Sequence, residues 1–293
     1  MRIALFGNTF RLEAVDTAFH LLTTLQMLNI DVVIEASFYE FLQEQHGRDV
    51  GDLSYKILDN EDFSADIALS LGGDGTFLNT AKHIGAKGIP ILGINTGRLG
   101  FLSDVANNEI ETALESIVNH QYQVEERSVL QLIADNPDWN ECPFALNEIA
   151  LLKQDTSSMI TIHVKVKGEL LNSYRADGLL LATPTGSTAY SMSVGGPIVV
   201  PQSNNFILSP VASHTLSIRP LIIPDTWELD ISVSSRTKSF LAALDGRSDV
   251  FPQSTTLKIR KADHTIKVVK RANHTFFDTL KTKLMWGADK RTE

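Results

Sequence analysis

The chain has 293 residues, 43 % apolar and 21 % charged, with a formal charge of −9. This is the composition of a globular chain of one large or two ordinary domains, and its negative charge argues against wholesale attraction to nucleic acid or anionic membrane. A single cysteine, Cys142, excludes an internal disulfide and fits a reducing compartment; it reads as an inert thiol rather than a nucleophile. The N-terminus carries no signal-like run, and no stretch approaches the ~20 apolar residues that span a bilayer. The expectation is a cytoplasmic protein without nucleic-acid or membrane partners. Residues 2–7 read as a buried strand that turns at Gly7-Asn8. Val15, Phe19, Leu22, Leu25 and Leu28 recur at helical spacing. Residues 31–36 form a second strand, 38–45 a short helix ended by Gly47, and 48–64 a polar loop. Residues 65–71 are an apolar strand, 76–84 a helix with Gly85 beyond it, 89–94 a further strand, and 109–119 a helix. Strands alternating with helices predict a parallel sheet covered by helices.

From about Tyr122 the helical periodicity fades. Short β-type runs at 129–134, 149–152, 160–166, 170–174, 179–182, 207–208, 231–233, 240–244, 257–259 and 265–269 are separated by turn residues, which predicts a mostly antiparallel β domain. Phe276, Phe277, Leu280 and Leu284 return to helix-like spacing in the tail. The fold class is therefore α/β plus all-β: an N-terminal parallel-sheet α/β domain, residues 1–120, then a larger β-rich domain, residues 121–271. The tail, residues 272–293, packs back on the first domain.

Gly72-Gly73-Asp74-Gly75 lies between a predicted strand and a predicted helix. Glycines there allow close approach to the main chain, and a helix start directs N–H groups and a positive dipole end at the loop, a natural phosphate site. A carboxylate repels phosphate, so Asp74 reads either as a group with a chemical task, a proton acceptor or metal ligand, or as a cap in an ordinary turn. Asn95-Thr96-Gly97-Arg98-Leu99-Gly100-Phe101-Leu102 follows the next strand. Both loops should lie at the carboxyl edge of the sheet, where ligands gather. Further along, Asn147-Glu148 is a functional pair or a strand-start turn, and Arg175-Ala176-Asp177-Gly178 a binding element or a salt-bridged turn. Residues 183–197 pack small hydroxyl residues and glycines around Tyr190. Hydroxyls hydrogen-bond and a tyrosine covers a flat ring, which suits a nucleoside.

Together, Gly72-Gly73-Asp74-Gly75-Thr76, Asn95-Thr96-Gly97 with Leu99-Gly100-Phe101-Leu102, Asn147-Glu148, Arg175-Ala176-Asp177-Gly178, and 183–191 with Gly195-Gly196-Pro197 resemble the NAD kinase family. The order and spacing fit from about residue 64 to the C-terminus. The Gly-Gly-Asp-Gly element is shared with diacylglycerol and sphingosine kinases and, more loosely, phosphofructokinases; the run at 183–190 is far more specific. The resemblance implies Mg2+-dependent transfer of the terminal phosphoryl group of ATP to the adenosine ribose 2′-hydroxyl of NAD, giving NADP. It implies Asp74 as base, with Gly72, Gly73 and Gly75 meeting the ligand through backbone. Asn147 and Glu148 match positions that hold the adenosine part of NAD. Arg175 and Asp177 match ligand-binding positions, and Thr185, Thr188, Ala189, Tyr190, Ser191, Met192 and Ser193 line the pocket. Ala212 and Asp245-Gly246-Arg247 carry over as nucleotide-binding, Arg247 standing where Gln is commoner and offering a positive charge to phosphate. Mg2+ is implied to be held mainly through phosphates, and the protein to be a homo-oligomer, a dimer or tetramer, with the site near a subunit boundary.

The alternatives are a diacylglycerol-type lipid kinase, opposed by the 183–197 run and the lack of an amphipathic membrane helix, and a non-catalytic NAD(P)-binding sensor. No P-loop, Gly-x-Gly-x-x-Gly or zinc motif is present, which excludes those modes of nucleotide and metal binding.

Overall fold

A computed structural model describes residues 1–10, 13–46, 55–58, 62–97, 100–155, 158–271 and 274–287. Gly47, much of the predicted 48–64 loop, Arg98 and Leu99 lie outside them, as do the two ends of the tail. The chain divides into two compact units, Met1–Glu126 with Ile266–Glu293, and Arg127–Thr265.

The first unit carries β1 (Arg2–Gly7), α1 (Glu13–Met27), β2 (Asp31–Glu35), α2 (Ala36–His46), β3 (Lys56–Leu58), β4 (Ile67–Leu71), α3 (Asp74–Ile84), β5 (Ile91–Ile94), α4 (Ile110–Val118) and β6 (Tyr122–Arg127). The returning chain adds β19 (Ile266–Arg271) and α6 (Phe276–Leu284). The sheet order is β3-β2-β1-β4-β5-β19-β6. β1 pairs in parallel with both β2 and β4, and β4 with β5. All five residues of β4 are buried, as expected where helices cover both faces of a parallel sheet and leave no polar alternation. Ile3, Leu5, Leu69 and Leu92 share one core with Leu22 and Leu25 of α1 and Leu114 and Ile117 of α4; each such side chain contributes about 1.5–3 kcal/mol by removal from water. Strand order reverses between β1 and β4, so the loops after them, Gly7-Asn8 and Gly72–Gly75, flank a topological switch point.

The second unit is a sandwich of two antiparallel sheets. One has the order β11-β10-β15-β18-β7-β8 and the other β14-β13-β12-β9-β16-β17. The strands are β7 (Leu130–Ala134), β8 (Phe144–Ala145), β9 (Glu148–Leu152), β10 (Ile160–Val166), β11 (Glu169–Ala176), β12 (Gly178–Ala182), β13 (Asn205–Val211), β14 (Leu221–Pro224), β15 (Leu229–Ser234), β16 (Ser239–Leu244), β17 (Arg247–Pro252) and β18 (Leu257–Lys261). Burial alternates along β16, one face inward and one outward. Phe206, Phe240 and Phe251 lie in the shared core. A four-residue helix, α5 (Tyr190–Ser193), sits in the long connection from β12 to β13.

The expected fold class holds: a parallel-sheet α/β part and an antiparallel β part. Details differ. β3 lies within the expected 48–64 loop. β6 and β19, expected in the β-rich domain, complete the first sheet, so the first unit is slightly the larger. Among the described residues no helix is long and apolar enough to cross a membrane.

Candidate active site

In the first unit, β4 delivers the chain into Gly72-Gly73-Asp74-Gly75. Only Gly72 takes a positive φ, +152°, and a side chain there would strike Thr76. Gly73 is the extended N-cap of α3, and α3 has no side-chain cap. A Cβ on Gly73 or Gly75 would meet nothing within 4 Å, so the main chain here is open to a ligand. Asp74 is the first residue of α3, not its cap.

The Asp74 carboxylate instead spans the two glycine-bearing loops. Oδ2 accepts the Phe101 N–H at 2.9 Å, and Oδ1 accepts Leu102 and Ser103 N–H at 2.9 and 3.1 Å. The fit depends on Gly100, where a Cβ would stand 2.0 Å from Oδ1. Lys283 of α6 approaches Oδ2 at 3.4 Å and lies 4.8 Å from the Phe101 ring centroid. Beyond Ser103, Asp104 is buried and pairs with Lys270 of β19 at 2.6 Å.

In the second unit, a second aspartate makes a similar clamp. Leu244 and Arg247 pair across the hairpin, and Asp245-Gly246 forms its two-residue turn with φ of 49° and 84°, the signature of a type I′ turn. The turn aims Asp245 at the start of β9. Its carboxylate accepts N–H from Leu146, Asn147 and Glu148 at 2.7, 2.8 and 3.1 Å, while its own N–H donates to the Glu148 carbonyl. Burial raises the Asp245 carboxyl above its ordinary value despite these donors and the nearby Arg247. Burial, reinforced by the Asp245 charge and opposed by the Tyr190 N–H, pushes Glu148 up to about 7. Glu148 Oε2 is buried without a hydrogen-bond partner, a costly state that a ligand donor would relieve. Arg247, expected at the nucleotide, is half-buried. Its guanidinium donates to the Cys142 and Phe144 carbonyls at 3.1 and 2.6 Å and fastens the segment that leads into Asn147.

The hydroxyl-rich run divides by task. Thr183 Oγ1 donates to the Leu146 carbonyl at 2.6 Å and accepts the Gly186 N–H at 3.1 Å. Ser187 bridges both backbone groups of Val199, and Ser191 meets Ser209 at 3.4 Å. These three are buried scaffolding, as is Thr185, whose carbonyl accepts the Thr188 hydroxyl. Tyr190 and Ser193 are exposed, and Thr188, Ala189 and Met192 partly so.

The remaining candidates sit around the other end of β12, Arg175 near the end of β11 in the opposite sheet. Glu148 pairs with Ala182 at one end of β12, and Leu152 with Gly178 at the other, about 13 Å away at strand rise. At that second end Asp177 pairs with Lys153 at 2.7 Å, its N–H donates to Val211, and Arg175 accepts the His214 N–H. Exposed Ala212 is there too, at a positive φ of 46°. Thus Asn147, Glu148, Tyr190 and Asp245 are brought together, while Arg175, Asp177 and Ala212 form a separate group. Sequence reasoning did not single out Lys283, Lys270 or Asp104. The spacing of Phe276, Leu280 and Lys283, one face of a helix, was the available signal for the first. Among the described residues no group of three or more His, Cys, Asp or Glu could hold a metal ion.

Residues 3–122 match the ATP-NAD kinase N-terminal domain and residues 146–271 the ATP-NAD kinase C-terminal domain. The chain is 50 % identical over 291 residues to an NAD kinase of Bacteroides fragilis, covering 99 % of this chain and 100 % of the relative. It is 40 % identical to an NAD kinase of Cytophaga hutchinsonii with the same coverage. An NAD kinase from Archaeoglobus fulgidus, solved in complex with ATP, superposes with a TM-score of 0.74 at 26 % identity, over 97 % of this chain and 99 % of that one. Yeast NADH kinase complexed with NADH shares the fold at a TM-score of 0.88 and 22 % identity, over 100 % of this chain and 90 % of that one. Matched in both domains and along nearly its whole length, the chain belongs to the NAD kinase family and is a kinase.

Proposed function

We propose that the chain phosphorylates the adenosine ribose 2′-hydroxyl of NAD, with ATP as donor and Mg2+ as the accompanying cation. Asp74 takes the hydroxyl proton as the 2′-oxygen bonds to the terminal phosphorus. The bond from that phosphorus to the bridging oxygen breaks, and its electron pair leaves with ADP. Phosphoryl transfer needs positioning and charge neutralisation above all. The open main chain at Gly73 and Gly75 and the start of α3 offer donors to phosphate oxygens. Asn147 and Glu148 hold the adenosine part of NAD, Asp245 fixes them in place, and Tyr190 covers a ring.

The observation that carries this reading is the Asp74 carboxylate, fixed by three amides beside backbone that nothing fills. The unpartnered Glu148 Oε2 supports the NAD-binding role. Small divalent ions can be held largely by substrate phosphates and water; with the Asp74 oxygens engaged by three amides and Lys283, Mg2+ would be held mainly through the phosphates. Bound with the nucleotide, Mg2+ supplies neutralisation of phosphate charge.

A cytoplasmic homo-oligomer, dimer or tetramer, completes the reading. Its supports are the lone thiol Cys142 and the apolar edge strand β14, where Leu221 and Ile222 are 40 % and 50 % exposed; such edges invite pairing. The test is NADP formation, followed by a coupled dehydrogenase, from NAD, ATP and Mg2+. Product that depends on both substrates and on the cation is expected. Measurable NAD binding with no product would overturn the reading.

A further inference from the structure

A carboxylate has about four acceptor positions, and all four on Asp74 are taken. Oδ1 receives Leu102 and Ser103; Oδ2 receives Phe101 and Lys283. A base needs one of them free. The three amides belong to a fixed segment: Gly100 N–H donates to Ser103, Val105 exchanges backbone bonds with Gly93 and Asn95, and the buried Asp104–Lys270 pair anchors its end. Lys283 is different. Its contact is the longest, 3.4 Å, between side chains that are each about a third exposed, and it ends a flexible four-carbon stem.

We propose that Lys283 is an exchangeable partner of Asp74: it turns to the terminal phosphate of the donor when ATP binds, and so opens Oδ2 to the 2′-hydroxyl proton. This rests on the reading of Asp74 as the base. Helix α6 is built to hold the ammonium there. A reciprocal Thr275–Asp278 capping box starts it, and Phe276, Leu280 and Lys283 fall on one face. The Phe276 ring lies 6.4 Å from Phe101, whose own face sits under the Lys283 ammonium. A part-exposed carboxylate and a ring face are modest partners for an ammonium. A phosphate carries more charge and offers shorter charge-assisted bonds. Lys283 keeps its proton throughout; the transferred proton goes from the ribose hydroxyl to Asp74.

The test is steady-state kinetics, with Mg2+ present, on the wild type, Lys283→Met, Lys283→Arg and the helix-neighbour control Lys281→Met. Calorimetric NAD binding is measured on each, and Lys283→Gln serves if the Met variant does not fold. Lys283→Met is expected to raise KM for ATP by ~10-fold and lower kcat by ~10-fold. KM for NAD and NAD affinity should stay within about twofold, Lys283→Arg should recover most of the loss, and Lys281→Met should match the wild type. Unchanged KM for ATP and kcat in Lys283→Met would overturn the proposal, as would equal losses in Lys281→Met or a loss carried by NAD affinity. Asp74→Asn, run in parallel, separates the two claims. Full turnover in that variant refutes the base; lost turnover there with an unaffected Lys283→Met refutes only the lysine's role.

Discussion

Each unit places an aspartate in an Asp-Gly dipeptide and has it accept three consecutive backbone N–H groups from a distant segment. Asp74 takes those of Phe101, Leu102 and Ser103; Asp245 takes those of Leu146, Asn147 and Glu148. The hydrogen-bond geometry is alike and the neighbours differ. Beside Asp74 stands an ammonium, Lys283, on a part-exposed side chain next to open main chain. Beside Asp245 stands a second carboxylate, Glu148, in a setting that pushes both carboxyls up. One motif therefore serves two ends. The Asp74 clamp joins two loops beside open main chain; the Asp245 clamp fixes a strand start, where burial holds its carboxyl above the ordinary value.

The largest expected effect tests whether Asp245 is scaffolding. Asp245→Ala leaves three amides without their acceptor, and charge-assisted bonds of this kind are worth about 1.5–3 kcal/mol each, though not additively. A stability loss of about 3–5 kcal/mol in chemical denaturation is expected, with NAD affinity falling alongside. A variant as stable as the wild type would remove the clamp from the account.

The second effect is a pH dependence. Glu148 titrates at about 7 in the folded chain against an ordinary 4.5. Below the lower value it is neutral in both states and nothing is lost. As pH rises from the lower value to the upper one, the unfolded chain ionises first and stability falls, and above 7 the full cost of about 3 kcal/mol applies. Glu148→Gln should therefore gain stability relative to the wild type at pH 8 but not at pH 4, flattening the curve between. Parallel curves for the two proteins would show that Glu148 is not strained.

A smaller effect probes the first clamp sterically. Gly100→Ala puts a Cβ against Asp74 Oδ1, and overpacking of this kind costs about 1–3 kcal/mol. Turnover should drop more than NAD affinity, since the displaced group is Asp74. The smallest expected change is Tyr190→Ala, which removes a 38 % exposed ring. Ring contacts are worth about 0.5–1.5 kcal/mol, so KM for NAD should rise ~2- to 10-fold; an unchanged KM would make Tyr190 surface packing.

The sequence carried the buried parallel strands plainly, because β1, β4 and β5 are short, largely apolar runs, β4 interrupted only by Ser70, bounded by turn residues. It did not carry β6, whose residues are mostly exposed or intermediate, nor the edge strands β14 and β17, each ending in proline. β19 was visible as a strand, but periodicity reports a face and not a partner, so its place beside β5 was hidden. The same limit applies to the site. Both glycine-bearing loops, Asn147-Glu148 and the hydroxyl run stood out by residue type. The clamps that join them link residues 27 to 29 and 97 to 99 apart, and Lys283 reaches Asp74 across 209. The charge of Arg247 was legible, and its partners, the Cys142 and Phe144 carbonyls, were not.

The central claim is that Asp74 takes the ribose proton. The most direct test is kcat of Asp74→Asn, an isosteric change, with NAD binding measured by calorimetry on the same preparation. NAD affinity close to wild type is expected, with kcat lower by ~10²-fold or more, the scale of a general base. Near-normal turnover in that variant would contradict it and leave Asp74 as a clamp alone.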